Sequence, residues 1–367
     1  MRRRRMMATS AAAAAFATLA VAPSAQAVKR SFFGVDPQRA ITAEDYTQMQ
    51  EAKVGSLRVE AHWAGINPSP GVYDFGHLDE TFRQASAAKV DVLPFVFSTP
   101  QWVIQREGRS CEGGDCNAYA PAKRKGLAAF REFVAKLVER YGRNGTFWAE
   151  NPDVPRNPIK AVQVWNEQNS PTFFRPKPNT RKYAKLLDAA NKAVNSRDRR
   201  VDVIMGGMFG TPFGGRQTLG VAAWDYLERL YRIRGVKKDF DAIAPHPYAK
   251  NMKGVRGQVE LLIDEVRQAR DGNVGMWITE IGWGSDRGGA DQNVGRKAQA
   301  RRLNQAFRFF LGKRKSWNVK GLFWYSWRDD RSQGEALCNW CPSSGLVQED
   351  FTEKPSYRAF VKFTRGR

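Results

Sequence analysis

The chain has 367 residues, 42% of them hydrophobic, with 59 Lys and Arg against 37 Asp and Glu and a formal net charge of +22. That length and apolar content exclude a disordered or fibrous chain and allow one large domain with a full core. Three His and four Cys leave little material for a catalytic metal, and no Walker sequence, G-x-S-x-G elbow or nucleic-acid motif accompanies the positive charge.

The chain opens on MRRRRMMATSAAAAAFATLAVAPSAQA. Four arginines, a short uncharged apolar stretch and a closing Ala25-Gln26-Ala27 have the layout of a secretory signal peptide over residues 1–27. Arg4-Arg5-Met6-Met7 matches a twin-arginine signal only loosely, so the export route stays open. No later segment is long enough to span a bilayer. Residues 28–367 contain no Ser/Gly/Pro tract, repeat or low-complexity run, and read as one domain.

Within that domain, β-rich apolar runs are predicted at 31–35, 55–60, 90–97, 161–165, 201–207, 240–245, 276–280 and 321–327. Stretches of helical period fall between and after them, at 126–142, 181–194, 221–235, 258–272, 296–312 and 354–363. In the first of these helices Leu127, Phe130, Phe133, Val134, Leu137 and Val138 step by three and four, the spacing of one helix face. Strands alternating with helices imply parallel βαβ units, and eight repeats close a (β/α)8 TIM barrel. An open doubly wound sheet would carry a G-x-G-x-x-G turn after an early strand; SFFGVDPQRA has none.

Barrels of this kind gather their working groups at the carboxyl ends of the strands. AVQVWNEQN delivers Asn166 and Glu167 at the end of the fourth run, and MWITEIGW delivers Glu280 at the end of the seventh. Two facing carboxyls can protonate a leaving oxygen and meet an oxocarbenium-like centre, the two needs of glycosidic bond cleavage. Arg58, ending the second run, is placed to keep a nucleophile ionised. His246 and Tyr248 end the sixth, beside the seventh, so that Tyr248 is within reach of Glu280. Trp63, Trp102, Trp283 and Trp327 fall just past strand ends, where indole rings could stack on sugar faces. His62 is a weaker candidate contact. MGGMFGTPFGG (205–215) reads most simply as a flexible loop after the fifth strand.

With these residues in view, WNE on the fourth strand, ITE on the seventh and a Trp on the eighth resemble the clan A retaining glycoside hydrolases. STPQW after strand three and the terminal GLVQEDFTEKPSYRAF are similar to family 39-like members, including β-xylosidase-type and envelope polysaccharide-cleaving endoglycosidases. The resemblance implies a cofactor-free enzyme in which Glu167 is the acid/base, Glu280 the nucleophile and Asn166 the partner of the sugar 2-hydroxyl. Gln168 stands where many relatives have Pro.

Cys111 and Cys116 form one close pair in CEGGDC, Cys338 and Cys341 another in CNWC. In an exported chain they are expected as disulfides. Three connectivities are possible, two local clips being preferred to a cross-link between the loops. The basic residues are spread, with RDRR (197–200) and GKRK (312–315) at helix ends. They read as a solvated surface, with attraction to an acidic glycan or anionic cell envelope as the functional alternative. The expected partner is a carbohydrate, with no nucleic acid and no membrane span, the protein acting as a monomer. A non-catalytic glycan- or envelope-binding barrel and a transglycosylase with the same two carboxylates are the competing readings.

Overall fold

The computed structural model describes residues 28–110, 115–210, 220–333 and 338–366. The expected leader at 1–27 and Cys111 lie outside them, as do residues 211–219 of the glycine-rich segment. Eight strands, β1 (Phe33–Asp36), β2 (Ser56–His62), β3 (Asp91–Phe97), β4 (Ala161–Asn166), β5 (Asp202–Phe209), β6 (Ala242–His246), β7 (Gly275–Ile281) and β8 (Val319–Tyr325), form a closed parallel barrel in sequence order. Pairing of β1 with β8, Phe33 against Leu322 through Asp36 against Tyr325, completes the closure. The expected (β/α)8 TIM barrel is therefore the observed fold.

The described helices are α1 (Ala43–Glu51), α2 (Trp63–Ile66), α3 (Gly76–Ala87), α4 (Gln101–Arg106), α5 (Arg124–Tyr141), α6 (Thr146–Glu150), α7 (Thr180–Asn195), α8 (Ala223–Tyr231), α9 (Met252–Gln268), α10 (Arg296–Lys313) and α11 (Pro355–Thr364). Apart from α3, which the sequence reading missed, the long ones coincide with the periodic stretches of the sequence, with two displaced. The 258–272 prediction begins too late, because the Asn251 side chain caps the N–H groups of Lys253 and Gly254 and starts α9 at Met252. The 221–235 prediction ends too late, since α8 stops at Tyr231, ahead of Gly235 in left-handed backbone. Among the described residues no helix is long and apolar enough to cross a membrane.

Burial follows two layers. Apolar helix faces and outward-facing strand residues make the main core, while Leu93, Ala161, Ile204, Ala242, Ala244 and Phe323 plug the barrel, with Trp277 packed against them. The predicted flexible loop at 205–215 is corrected over its first half: β5 runs on to Phe209. Gly206 and Gly207 are close-packing glycines rather than turn glycines. A Cβ on Gly207 would lie 1.8 Å from His246 Nε2, and one on Gly206 2.2 Å from Gln168 Oε1.

Helix α1 was not predicted, having only Asp45, Tyr46 and Met49 buried, but its start is chemically marked. The Thr42 hydroxyl accepts from the Asp45 N–H while Asp45 Oδ2 accepts from the Thr42 N–H at 2.8 Å, a capping box. Asp45 also accepts from Trp327 Nε1 at 3.0 Å and pairs with Arg328 at 2.7 Å, tying α1 to the loop after β8. Thr42→Ala is expected to lower unfolding free energy by about 1 kcal/mol, read by urea denaturation.

Candidate active site

The polar end of β4 answers to its backbone. Along β4 the lumen face is marked by Gln163, which accepts from Arg58 Nε at 2.6 Å. Strand alternation would then turn Trp165 inward and Asn166 outward. Instead Trp165 has φ of 78° and Glu167 φ of 41°, left-handed values that side chains other than glycine rarely adopt. The first switches the parity. Trp165 turns out to stack edge-on with Phe97 and Phe174, and its Nε1 donates to the Phe173 carbonyl at 2.6 Å. Asn166 and Glu167 both turn in.

Glu167 and Glu280 then face each other across the mouth. One oxygen of each carboxylate and a ring nitrogen of His246 lie within 4.8 Å of one another. Arg58, 1% exposed, holds the centre. Its Nη1 donates to Glu280 Oε1 at 2.6 Å and to Asp36 Oδ2, its Nη2 to Asn166 Oδ1 at 2.8 Å, and its guanidinium lies 4.0 Å from the centroid of Phe95. Tyr248 donates to Glu280 Oε2 at 2.6 Å. The pairing of Arg58 and Tyr248 with Glu280 expected from chain order is thus the arrangement found. Asn166 turns its amide oxygen to Arg58.

The two carboxyls have unequal surroundings. Burial raises Glu280, but the Arg58 charge and the hydrogen bonds from Tyr248 and Arg58 pull it down. Glu167 is raised well above the usual range by burial and then by the Glu280 charge, with the more distant Arg58 opposing and Asp36 adding to the rise. Asp36 itself is pushed up to about 7 by burial against the pull of Arg58.

His246 is fully buried, and burial followed by the Arg58 charge depresses it well below its usual value, so the ring is neutral. Gln163 Nε2 donates to Thr279 Oγ1 at 3.2 Å, and that hydroxyl lies 2.9 Å from His246 Nε2. A ring whose Nε2 accepts the threonine proton carries its hydrogen on Nδ1, 3.0 Å from Glu167 Oε1. This assignment leaves Glu167 Oε2 for a transferable proton. The trio of Glu167, His246 and Glu280 has the donor types of a metal site, but Arg58 already supplies its positive charge and both ring nitrogens are engaged.

Three of the four expected sugar-stacking tryptophans belong elsewhere. Trp63, 0% exposed, stacks on Phe133 with centroids 5.6 Å apart. Trp283, also 0% exposed, packs beside Trp324 and donates to the Ala249 carbonyl. Trp327 at 1% packs on Tyr357. Each follows its strand end by a turn that carries the ring outward into the helix layer, so no face is left for a sugar. Trp102 stays half-buried, its Nε1 donating to the Asn67 carbonyl at 3.0 Å and Arg106 covering one face at 4.6 Å. His62 is a helix cap, its Nδ1 accepting from Gly65 N–H.

Several residues at the mouth escaped the sequence reading. Besides Asp36, Gln163 and Thr279, these are Tyr325 at the end of β8 and Trp340. Cys338 and Cys341 form a local disulfide, and the short loop it closes seats Trp340 with centroids 5.0 Å from Tyr248 and 5.9 Å from Tyr325. Gln38 Nε2 donates to the Cys341 carbonyl and Gln38 Oε1 accepts from Tyr325, which joins the clip to the β1 end. Cys116 is also disulfide-bonded. Asn169 bridges the backbone of Phe209 and Val221, and Gln168 donates to the Gly206 carbonyl. Both are struts rather than contacts for a ligand.

Residues 36–149 match a family model described as β-galactosidase. The stretch runs from the end of β1 through α6 and includes Asp36 and Arg58, but neither Glu167 nor Glu280. The β-galactosidase BgaA of a Thermus species is 32% identical over 114 residues, which are 27% of this chain and 17% of that relative's own length. A family 39 glycoside hydrolase from the gut symbiont Bacteroides cellulosilyticus WH2 superposes with a TM-score of 0.63 at 19% identity, over 92% of this chain and 65% of that one. The chain resembles the clan A glycoside hydrolases. Xylanase 10B from Thermotoga maritima superposes with a TM-score of 0.62 at 16% identity, covering 92% of this chain and 96% of that one. At such identities the structural likenesses carry the fold, and the chemistry rests on the mouth residues.

Proposed function

We propose that this protein is an exported retaining glycoside hydrolase that cleaves β-glycosidic bonds of a poly- or oligosaccharide by double displacement. The observation that carries the reading is the approach of Glu167 and Glu280 to within 4.8 Å in unequal electrostatic surroundings. Carboxyl groups about 5–5.5 Å apart suit a covalent intermediate, while inversion needs a wider gap for water.

In the first step Glu280, kept anionic by Arg58 and Tyr248, attacks the anomeric carbon. Glu167, kept protonated by burial and by the neighbouring negative charge, gives its proton to the departing oxygen. Glu167 leaves this step as a carboxylate. It then takes a proton from water, whose oxygen displaces Glu280 and restores both groups. When a sugar hydroxyl takes the place of that water the outcome is transglycosylation. The leader-like first 27 residues support export, and the charge left without their four arginines, 22 − 4 = +18, supports an acidic glycan or cell-envelope polymer among the substrates, met by the protein as a monomer.

The test is a panel of neutral and acidic β-linked oligosaccharides given to the purified protein, with the anomer of the first product read by ¹H NMR. A β product is expected; an α product would overturn the double displacement. No cleavage across the panel, with glycan affinity equal in wild type and Glu280→Gln, would instead favour a binding barrel.

A further inference from the structure

The opposite end of the barrel carries a second feature. The chain entering β1, the end of α10 and the start of β8 enclose a hollow of about 350 Å³, whose cationic lining residues are Lys29, Arg314, Lys315 and Lys320. Ser31 and Asn318 add polar groups, and Phe32 and Val319 form part of an apolar floor. Arg314 and Lys315 belong to GKRK, which the barrel chemistry does not use. None of the four cations forms an ion pair with a described residue. Asp202, raised by burial and by Asp241, is the acid that feels Lys320, but the two are not paired.

Part of the basic surface elsewhere is compensated by pairs such as Lys192 with Asp188, Arg232 with Glu228 and Arg267 with Asp264, and the distinction of this group is that its four cations share one concavity. Four unpaired cations around one concavity repel one another and concentrate positive potential inside it. A smaller hollow of about 60 Å³ shares Ser31 and Lys320 and reaches Trp277, whose buried Nε1–H has no acceptor among the described residues. Both hollows adjoin strand starts, whereas Glu167 and Glu280 sit at strand ends, about 20 Å away along a strand.

We infer that this hollow is a non-catalytic binding site for a carboxylate-bearing polysaccharide, holding the protein on an acidic polymer while the mouth stays free. Its concavity suits a sugar acid, the carboxylate lying among the cations and the ring meeting half-buried Val28 at the rim. Nucleic acid fits less well, since the hollow's one aromatic, Phe32, is 4% exposed and offers no face to stack a base. A membrane surface fits less well too, because the exposed large hydrophobics among the described residues, Val72 and Leu261, lie outside the hollow. The inference does not depend on the cleavage reading.

Binding of the full-length protein to polygalacturonate, with neutral dextran as comparison, would be measured by affinity electrophoresis and calorimetry. Glu280→Gln is used alongside wild type to remove turnover. The variant Lys29→Ala/Arg314→Ala/Lys315→Ala/Lys320→Ala is expected to weaken polygalacturonate binding at least about tenfold. A charge-matched control, Lys125→Ala/Arg199→Ala/Lys297→Ala/Arg308→Ala, should weaken it less than about threefold. Should the quadruple variant misfold, Lys315→Glu/Lys320→Glu, at two exposed positions, replaces it and should show the same loss. The inference is overturned by equal weakening in hollow and control variants, by no binding of wild type, or by equal binding of dextran. Tighter binding of duplex DNA or phosphatidylglycerol vesicles, lost in the hollow variant, would also overturn it.

Discussion

Glu280→Gln is expected to lower kcat by at least about four orders of magnitude on every glycoside the protein cleaves, since an amide cannot form the covalent bond that both steps share. The amide is nearly isosteric: its oxygen can still accept from Arg58 while its NH2 donates to the Tyr248 hydroxyl oxygen, so the loss should appear with the fold intact. Glu167→Gln should cost roughly 10²–10⁴-fold on natural glycosides. On a p-nitrophenyl glycoside the departing phenolate needs little protonation. Its first step should largely recover, leaving a burst of p-nitrophenol and a mass increase on Glu280. Retention of more than a few per cent of turnover by Glu280→Gln would assign the nucleophile elsewhere. The pH profile separates the roles further. The wild-type rate should fall as pH drops through the Glu280 pKa, which Arg58 and Tyr248 hold down, and fall again as pH rises through the elevated pKa of Glu167. The alkaline limb of the first step should vanish in Glu167→Gln.

Arg58→Met should be the most damaging single change to stability, about 3–5 kcal/mol at neutral pH, because it strands buried Asp36 and Glu280 without their cation. Both carboxyls have folded-state pKa values above the ordinary ones. The stability they allow is therefore fully present below the unfolded-state values near 4 and is lost as pH rises through the folded ones. In wild type this decline reaches about pH 7 for Asp36. Without the arginine the folded values climb further, so the deficit of Arg58→Met should widen from pH 4 to pH 8 in urea titrations. A deficit independent of pH would mean that Arg58 acts by packing on Phe95 rather than by charge.

The barrel was legible because alternating apolar runs and amphipathic stretches have separate periods, and eight of them leave few topologies. The two glutamates were legible because parallel strands point their carboxyl ends to one mouth. Asp36 was not: β1 is only four residues long, and its last residue lay just past the apolar run. Gln163 carried a readable signal, an amide inside AVQVW that burial would penalise unless bonded, and it is bonded to Arg58. The tryptophans misled because position past a strand end says nothing of which way the turn throws the ring. Trp340 lay far from any strand end, and only the closed Cys338–Cys341 loop brings it to Tyr248.

The left-handed residues around Asn166 also bear on how such a chain could change over generations. Each non-glycine residue held at positive φ costs of order 1–3 kcal/mol, and Trp165 and Glu167 both carry that cost where the next strand residues could have alternated normally. A lineage that kept the barrel only to bind glycans would gain stability by relaxing this segment, and drift would tend to erase it. Under the proposed double displacement, the same cost is what turns both Asn166 and Glu167 into the mouth.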